Sequence, residues 1–156
     1  YLHPYDENHI IGIGKDGNYV KISLFDVSNV SAPVEIDKYT VDGAWSDTPV
    51  LTEHKAFLFE RSKDLLVIPV SVTPMSALYP EKYSMWQGAL VFNVTLTGID
   101  LRGDVTHLEI DGSYWDSGYW VKRALYIENV LYTVSDKKIK MNSLDDLTLI
   151  NEITLP

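Results

Sequence analysis

The stretch Lys122-Arg123-Ala124-Leu125-Tyr126-Ile127-Glu128-Asn129 (122–129) runs directly into the apolar segment Val130–Val134. At the other end of the chain Tyr1-Leu2-His3-Pro4-Tyr5-Asp6-Glu7-Asn8 (1–8) has the same outline and runs into His9–Ile13. Between them His54-Lys55-Ala56-Phe57-Leu58-Phe59 opens a third copy, followed by Leu65-Leu66-Val67-Ile68. Self-similarity of this kind says more about a fold than any single segment. Each copy continues with a third run that ends in an apolar residue and Asp or Asn: Phe25-Asp26, Phe92-Asn93 and Met141-Asn142. A fourth run closes each copy, at Val34–Val41, Leu101–Leu108 and Leu147–Leu155.

The runs alternate apolar with polar residues or are rich in β-branched and aromatic side chains, which marks strands. The candidates are His9–Ile13, Tyr19–Val27, Val34–Val41, Lys55–Glu60, Leu65–Val70, Gly88–Asn93, Leu101–Leu108, Lys122–Ile127, Val130–Val134, Lys138–Met141 and Leu147–Leu155. Turn chemistry separates them at Lys15-Asp16-Gly17-Asn18, Ser135-Asp136-Lys137 and Ser143-Leu144-Asp145-Asp146. No stretch keeps a capped 3.6-residue period, and Thr73–Pro80 is too broken for more than one helical turn. The expected fold is therefore all-β, with three four-stranded antiparallel units at 1–41, 54–108 and 122–156 joined by loops 42–53 and 109–121. Four-strand repeats of about 40–50 residues are the blades of a β-propeller. A sandwich of twelve short strands is the alternative; three repeats in phase favour blades.

The rest of the composition narrows function by exclusion. The chain has 156 residues, enough for one domain with a real core. It is 46% hydrophobic and 22% charged, a globular balance. It holds no cysteine, so a disulfide framework, a thiolate metal site and a cysteine nucleophile are all excluded. A net charge of −9 argues against nucleic acid as a partner, because phosphate contacts need a basic surface. No apolar run approaches the roughly 18 residues of a membrane span. The chain opens at Tyr1 on a strand-like segment, and no signal peptide is read.

Five stretches carry a resemblance. They are residues 1–14, Lys21–Ser28, His54–Phe59, Gln87–Val94 and Tyr132–Asn142. Together they resemble the secreted β-propeller family of archaea and some bacteria, which is distantly similar to WD-repeat proteins. The resemblance covers nearly the whole chain and implies the C-terminal blades of a longer, secreted or cell-surface propeller. It carries over no catalytic residue. The segment after Gly14 looks short for the family, and the loop 71–87 looks particular to this chain.

Propellers close with four to eight blades, so three blades leave two end faces uncovered. An end face of about 500 Å² left wet forgoes about 12 kcal/mol, comparable to the whole stability of a domain. The expected partners are the remaining blades of a longer parent chain, or a second copy completing the ring.

Strand direction assigns the loops. Connections from the second to the third strand, and from one unit to the next, share one end: 42–53, 71–87 and 109–121. These loops hold all four tryptophans, Trp45, Trp86, Trp115 and Trp120, with Tyr79, Tyr83, Tyr114 and Tyr119. They also hold Asp42, Asp47, Glu53, Glu81, Glu109, Asp111 and Asp116 against a single base, Lys82. Long loops on a rigid scaffold carry function. Aromatic rings stack on sugars and attract cations, and carboxylates accept hydrogen bonds. The candidate ligand residues are Trp45, Trp86, Trp115, Trp120, Tyr83, Tyr114, Asp47 and Asp116, for a carbohydrate or peptide. The competing reading has these aromatics folded down to plug gaps between blades.

Other constellations are thin. Asp42, Asp47, Asp111 and Asp116 lack EF-hand spacing, and His3, His9, His54 and His107 lack metal-ligand spacing. Gly12-Ile13-Gly14 lacks the rest of a dinucleotide fingerprint, and no serine sits in a Gly-x-Ser-x-Gly context. Neither a metal nor a cofactor is expected. Asn29-Val30-Ser31 and Asn93-Val94-Thr95 are glycosylation sequons, Asn29 in a turn and Asn93 better placed as a turn cap. The expected function is a non-catalytic extracellular binding or assembly module acting through the aromatic-acidic loop face. The alternatives are a glycan-active hydrolase or lyase domain using loop carboxylates, and a purely structural cell-surface component.

Overall fold

The computed structural model describes residues 1–73, 85–109 and 116–156. In the first sheet β1 (Leu2–Pro4), β2 (His9–Asp16), β3 (Tyr19–Asp26) and β4 (Val34–Thr40) follow one another in chain order, all antiparallel. The second sheet contains β5 (Trp45–Asp47), β6 (Leu58–Glu60), β7 (Leu65–Thr73), β8 (Trp86–Thr95) and β9 (Gly98–Val105). The third repeats the pattern with β10 (Arg123–Ile127), β11 (Val130–Val134), β12 (Lys138–Ser143) and β13 (Leu149–Thr154). The protein is all-β, three successive antiparallel blades of a partial propeller. The β2–β3 turn is tight, with Gly17 at φ 58°, a conformation that glycine adopts without a Cβ penalty.

The inner edge of the middle blade departs from a simple strand. Within the segment 42–53, Trp45–Asp47 is itself a strand and pairs with Ser71–Thr73 of β7. Leu58–Glu60 pairs with Leu65–Val67 further down the same edge. The strand expected over Lys55–Glu60 is thus confined to its last three residues, and His54–Ala56 is a 3₁₀ turn. The break faces Pro69, which has no N–H to donate and suits a sheet only where a neighbour is missing. Thr48 Oγ1 donates to the Pro69 carbonyl at 2.7 Å and supplies one bond that a continuous strand would have made.

Alternation then sorts side chains between two cores. Ile11, Ile13, Ile22 and Leu24 of the first blade pack against Leu66, Ile68, Leu90 and Phe92 of the second. The other face of the second blade, Leu65, Val67, Ala89 and Val91, packs against Leu131 and Leu144 of the third. The middle blade is therefore covered on both sides, which is why Leu65–Val70 is a continuous buried run rather than an alternating one.

A bulge interrupts each third strand, at Leu24/Phe25, Val91/Phe92 and Met141/Asn142. Aligned on these bulges, Asn142 occupies the place of Phe25 and Phe92. The sequence match, which sets Met141 there, is one residue out of step. A one-residue slip moves a side chain to the opposite face. Asn142 accordingly faces the second blade and donates to the Leu147 carbonyl at 2.8 Å.

Polar bonds add specificity to the blade contacts. The Ile99 N–H donates to Asp37 Oδ2 at 2.8 Å, and the Tyr39 ring meets Phe92 edge-on at 5.0 Å. Tyr126 donates its hydroxyl to Glu60 Oε2 at 2.6 Å, and Arg102 reaches the Leu144 carbonyl. β9 ends at Val105, earlier than expected, and the chain beyond it carries His107 into the second interface, where the ring is fully buried. Its Nδ1 lies 2.9 Å from Ser135 Oγ and its Nε2 2.8 Å from Thr133 Oγ1. Ser135 spends its one proton on the Lys138 carbonyl, so His107 Nδ1 is the donor and Nε2 accepts from Thr133.

Candidate functional site

The loops at one end of the blades meet in the structure as strand direction requires. The Ser46 N–H donates to the Asn18 carbonyl in the β2–β3 turn at 3.0 Å. The Lys137 N–H, in the corresponding turn of the third blade, donates to the Gly118 carbonyl at 3.0 Å. Each interblade segment is thereby pinned to a hairpin tip, and functional side chains at this end stand on backbone that is itself hydrogen-bonded.

Between the entries to the second and third blades lies a cleft of about 640 Å³. Its walls include Trp45, Pro49, Leu51, Met85, Trp120 and Val121, with Asp47, Glu53, Lys122 and Arg123 among its charged residues. That size falls within the range of small-molecule sites, about 300–1,000 Å³. Trp45 is placed by β5 and is 39% exposed. The Lys15 ammonium sits 5.0 Å from its ring centroid and 3.4 Å from Asp47 Oδ1, and it also bonds the Ser46 carbonyl. Trp120 follows the 3₁₀ turn Ser117–Tyr119 and donates its backbone N–H to the Ser117 carbonyl at 3.1 Å.

Three of the eight candidate ligand residues, Trp45, Asp47 and Trp120, line this cleft. Asp116 does not; it caps the 117–119 turn through the Gly118 N–H at 2.9 Å and pairs with Lys137 at 2.5 Å. Trp86 is not a lining residue either. It packs on the first core beside Leu90 and Phe92, with its ring lying where a Cβ on Gly88 would stand. The half-buried Trp86 ring thus has the packing that the gap-filling reading describes. Strand alternation explains it, because residues 86, 88, 90 and 92 share a face once β8 is extended back to Trp86. Tyr83, Tyr114 and Trp115 lie outside the described residues, as do Tyr79, Glu81, Lys82 and Asp111.

Several lining residues escaped sequence reasoning. Gln87 is 2% exposed at the floor of the cleft. An amide directly ahead of the apolar run Gly88–Phe92 is the available signal. In the sequence Lys122 and Arg123 mark the start of a repeat and its strand, and Thr48, Pro49 and Leu51 lie in a linking loop.

Three carboxylates at this end, Glu53, Glu109 and Asp116, are lowered by their partners. Asp116 is lowered from the usual carboxylate range mainly by its hydrogen bond from Lys137, and Glu109 by its bond from Lys138. Glu53 is lowered chiefly by the Lys55 N–H it accepts at 3.0 Å, with a further contribution from Arg123. Among the described residues, no three of His, Asp and Glu gather as a metal site. Of the sequons, Asn29 is exposed in the β3–β4 turn, where its Oδ1 accepts the Ser31 N–H at 3.1 Å. Asn93 lies within β8, paired on both sides to Leu65 and Asp100.

Comparison with known proteins gives one family match and two relatives. The family described as Beta propeller domain matches residues 1–147. An uncharacterized protein of Methanocaldococcus jannaschii is 31% identical over 154 residues, 98% of this chain and 20% of the relative. An uncharacterized protein of Archaeoglobus fulgidus is 39% identical over 69 residues, 44% of this chain and 11% of the relative. The chain spans a fifth or less of the length of these curated relatives.

Proposed function

The chain belongs to the β-propeller domain family, and from that premise we propose that it is a non-catalytic binding and assembly module. Its ligand enters the loop-end cleft between Trp45 and Trp120, and its end blades pack against further blades of a longer polypeptide. The observation that carries the reading is the cleft itself: exposed apolar and aromatic walls on a backbone fixed by hairpin tips. Three of the loop carboxylates support binding over hydrolysis. A general acid needs a raised pKa, whereas Glu53, Glu109 and Asp116 are each lowered by structural bonds.

The assembly half of the proposal rests on the third blade. Leu125, Tyr132 and Met141 point away from the second blade, by their pairing across β10, β11 and β12. Leu125 is 44% exposed and Ile153, on β13, 48%. The longer relatives are consistent with more blades. Action outside the cell or at its surface is part of the proposal; the sequence resemblance and the exposed Asn29 sequon support it. The net charge of −9 speaks against a nucleic-acid partner.

The test is a ligand array of glycans and peptides probed with the protein and its Trp45→Ala and Trp120→Ala variants. A ligand lost from both variants is expected. Binding that survives both removes the loop end as the site.

A further inference from the structure

The chemistry of the cleft narrows its ligand, on the reading that it is a binding site at all. Its charges are balanced locally. Asp47 faces Lys15 at 3.4 Å, Lys122 bonds Asp136 at 2.5 Å, and Arg123 bears on Glu53. The overall −9 is therefore not focused here. A cationic ligand would have to displace Lys15 from both Asp47 and the Trp45 ring, and an anionic one would have to compete with Asp136 for Lys122 and would meet the negative charge of Glu53.

An extended peptide is also poorly served. Peptides commonly bind by adding a strand to a free sheet edge. The edge that β5 presents is already used: the Ser46 N–H goes to the Asn18 carbonyl, and the Ser46 carbonyl takes Lys15. What the cleft does offer is two indoles and four neutral hydroxyls, of which Thr48 and Thr52 donate to the Pro69 and Pro49 carbonyls. Ser71 and Ser117 line it, and their hydroxyls make no hydrogen bond among the described residues. Glu53 and Arg123 add a planar acceptor and a planar donor to the lining.

We propose that the cleft binds an uncharged oligosaccharide. Pyranose rings lie against Trp120 and against the side of Trp45 that Lys15 does not cover, and sugar hydroxyls bond to Ser71, Ser117, Glu53 and Arg123. Electroneutrality makes binding insensitive to salt, because no ion pair forms on association.

The experiment titrates the protein by calorimetry against neutral gluco-, manno-, xylo- and N-acetylglucosamine oligosaccharides. Uronate and sulfated oligosaccharides and a peptide library run in parallel. The expected result is saturable binding of at least one neutral series, unchanged between about 50 and 500 mM salt. Trp45→Ala and Trp120→Ala each weaken it at least tenfold while circular dichroism stays native. Saturation-transfer NMR on the unmodified protein gives a readout free of folding effects, with sugar ring protons receiving magnetisation from indole. If only charged glycans or peptides bind, and do so through Trp45 or Trp120, the neutral-sugar assignment is overturned while the binding-module reading stands. If no ligand of any class depends on either tryptophan, both fall.

Discussion

The side-chain amide of Gln87 and the backbone of Val121 hold each other through two hydrogen bonds. Gln87 Nε2 donates to the Val121 carbonyl at 2.9 Å, and the Val121 N–H donates to Gln87 Oε1 at 2.7 Å. One side chain of the second blade thus satisfies both polar groups of the residue where the chain enters the third blade, and it does so at the floor of the cleft.

Removing that amide leaves the buried N–H and carbonyl of Val121 without partners, each costing about 1–3 kcal/mol. Gln87→Ala should therefore lose about 2–4 kcal/mol in urea unfolding. Gln87→Glu offers both a donor and an acceptor only while its carboxyl is protonated, so its loss should be smaller than that of the alanine variant at acid pH and should grow as the buried carboxylate ionises against the Val121 carbonyl. Equal stability of wild type and Gln87→Ala would show that the clamp is not a stability element.

The buried His107 makes the second interface sensitive to acid. Burial first, then Lys140 and Lys138, lower its pKa from 6.5 to about 4. The unfolded chain therefore takes up a proton that the folded chain refuses between those values. The associated stability is fully present above pH 6.5 and disappears as pH falls towards 4. The contribution is about 3 kcal/mol. His107→Gln should flatten the dependence of the urea midpoint on pH across this window, even though its stability at pH 7 is lower.

Glu60 responds at still lower pH. The Tyr126 hydroxyl, then Ser62, hold its pKa at about 2. Depression of a carboxylate means that the associated stability is present above the ordinary value and is lost as pH falls towards the folded one. In Tyr126→Phe the largest cause is gone, so a carboxyl-carbon NMR titration should find Glu60 moved up towards its ordinary range. An unmoved Glu60 would mean that the interblade hydrogen bond is not made in solution.

Trp45 and Trp86 should separate cleanly. Trp86→Ala removes a ring packed on the first core and should cost about 1–3 kcal/mol. Trp45→Ala removes an exposed ring at the cleft and should stay within about 0.5–1 kcal/mol of wild type. Gly88→Ala belongs with Trp86, because its Cβ would stand 2.7 Å from both Trp86 Cζ2 and the Val105 carbonyl. Denaturation curves in which Trp45→Ala is the more damaging change would reverse the roles assigned to these residues.

The open face of the third blade predicts association. Concentration-dependent sedimentation is expected for the 156-residue chain, and Leu125→Asp together with Ile153→Lys should suppress it by charging a face that now exposes apolar side chains. A monomer at every concentration, in wild type and variant alike, would argue that this face needs no cover.

Strand order and blade count were legible in the residues because both are local properties: period-two alternation, turn residues, and a pattern repeated in phase. The shared end of Ser46 and Gly118 was legible for the same reason, since antiparallel order alone sends each of them to the end that carries the hairpin tips they bond. What local pattern does not carry is which side chains meet across the gap between blades. Nothing near Gln87 names Val121, and nothing near Trp45 names Trp120; packing of separate sheets brings them together. The one-residue offset at Asn142 has the same origin, because a bulge is located by pairing with a neighbour strand rather than by the strand's own residues. Pro69 is the intermediate case. Its missing N–H is written in the chain, but that the inner edge would break there, and that Thr48 would bridge the break, was decided only when β5, β6 and β7 came to lie side by side.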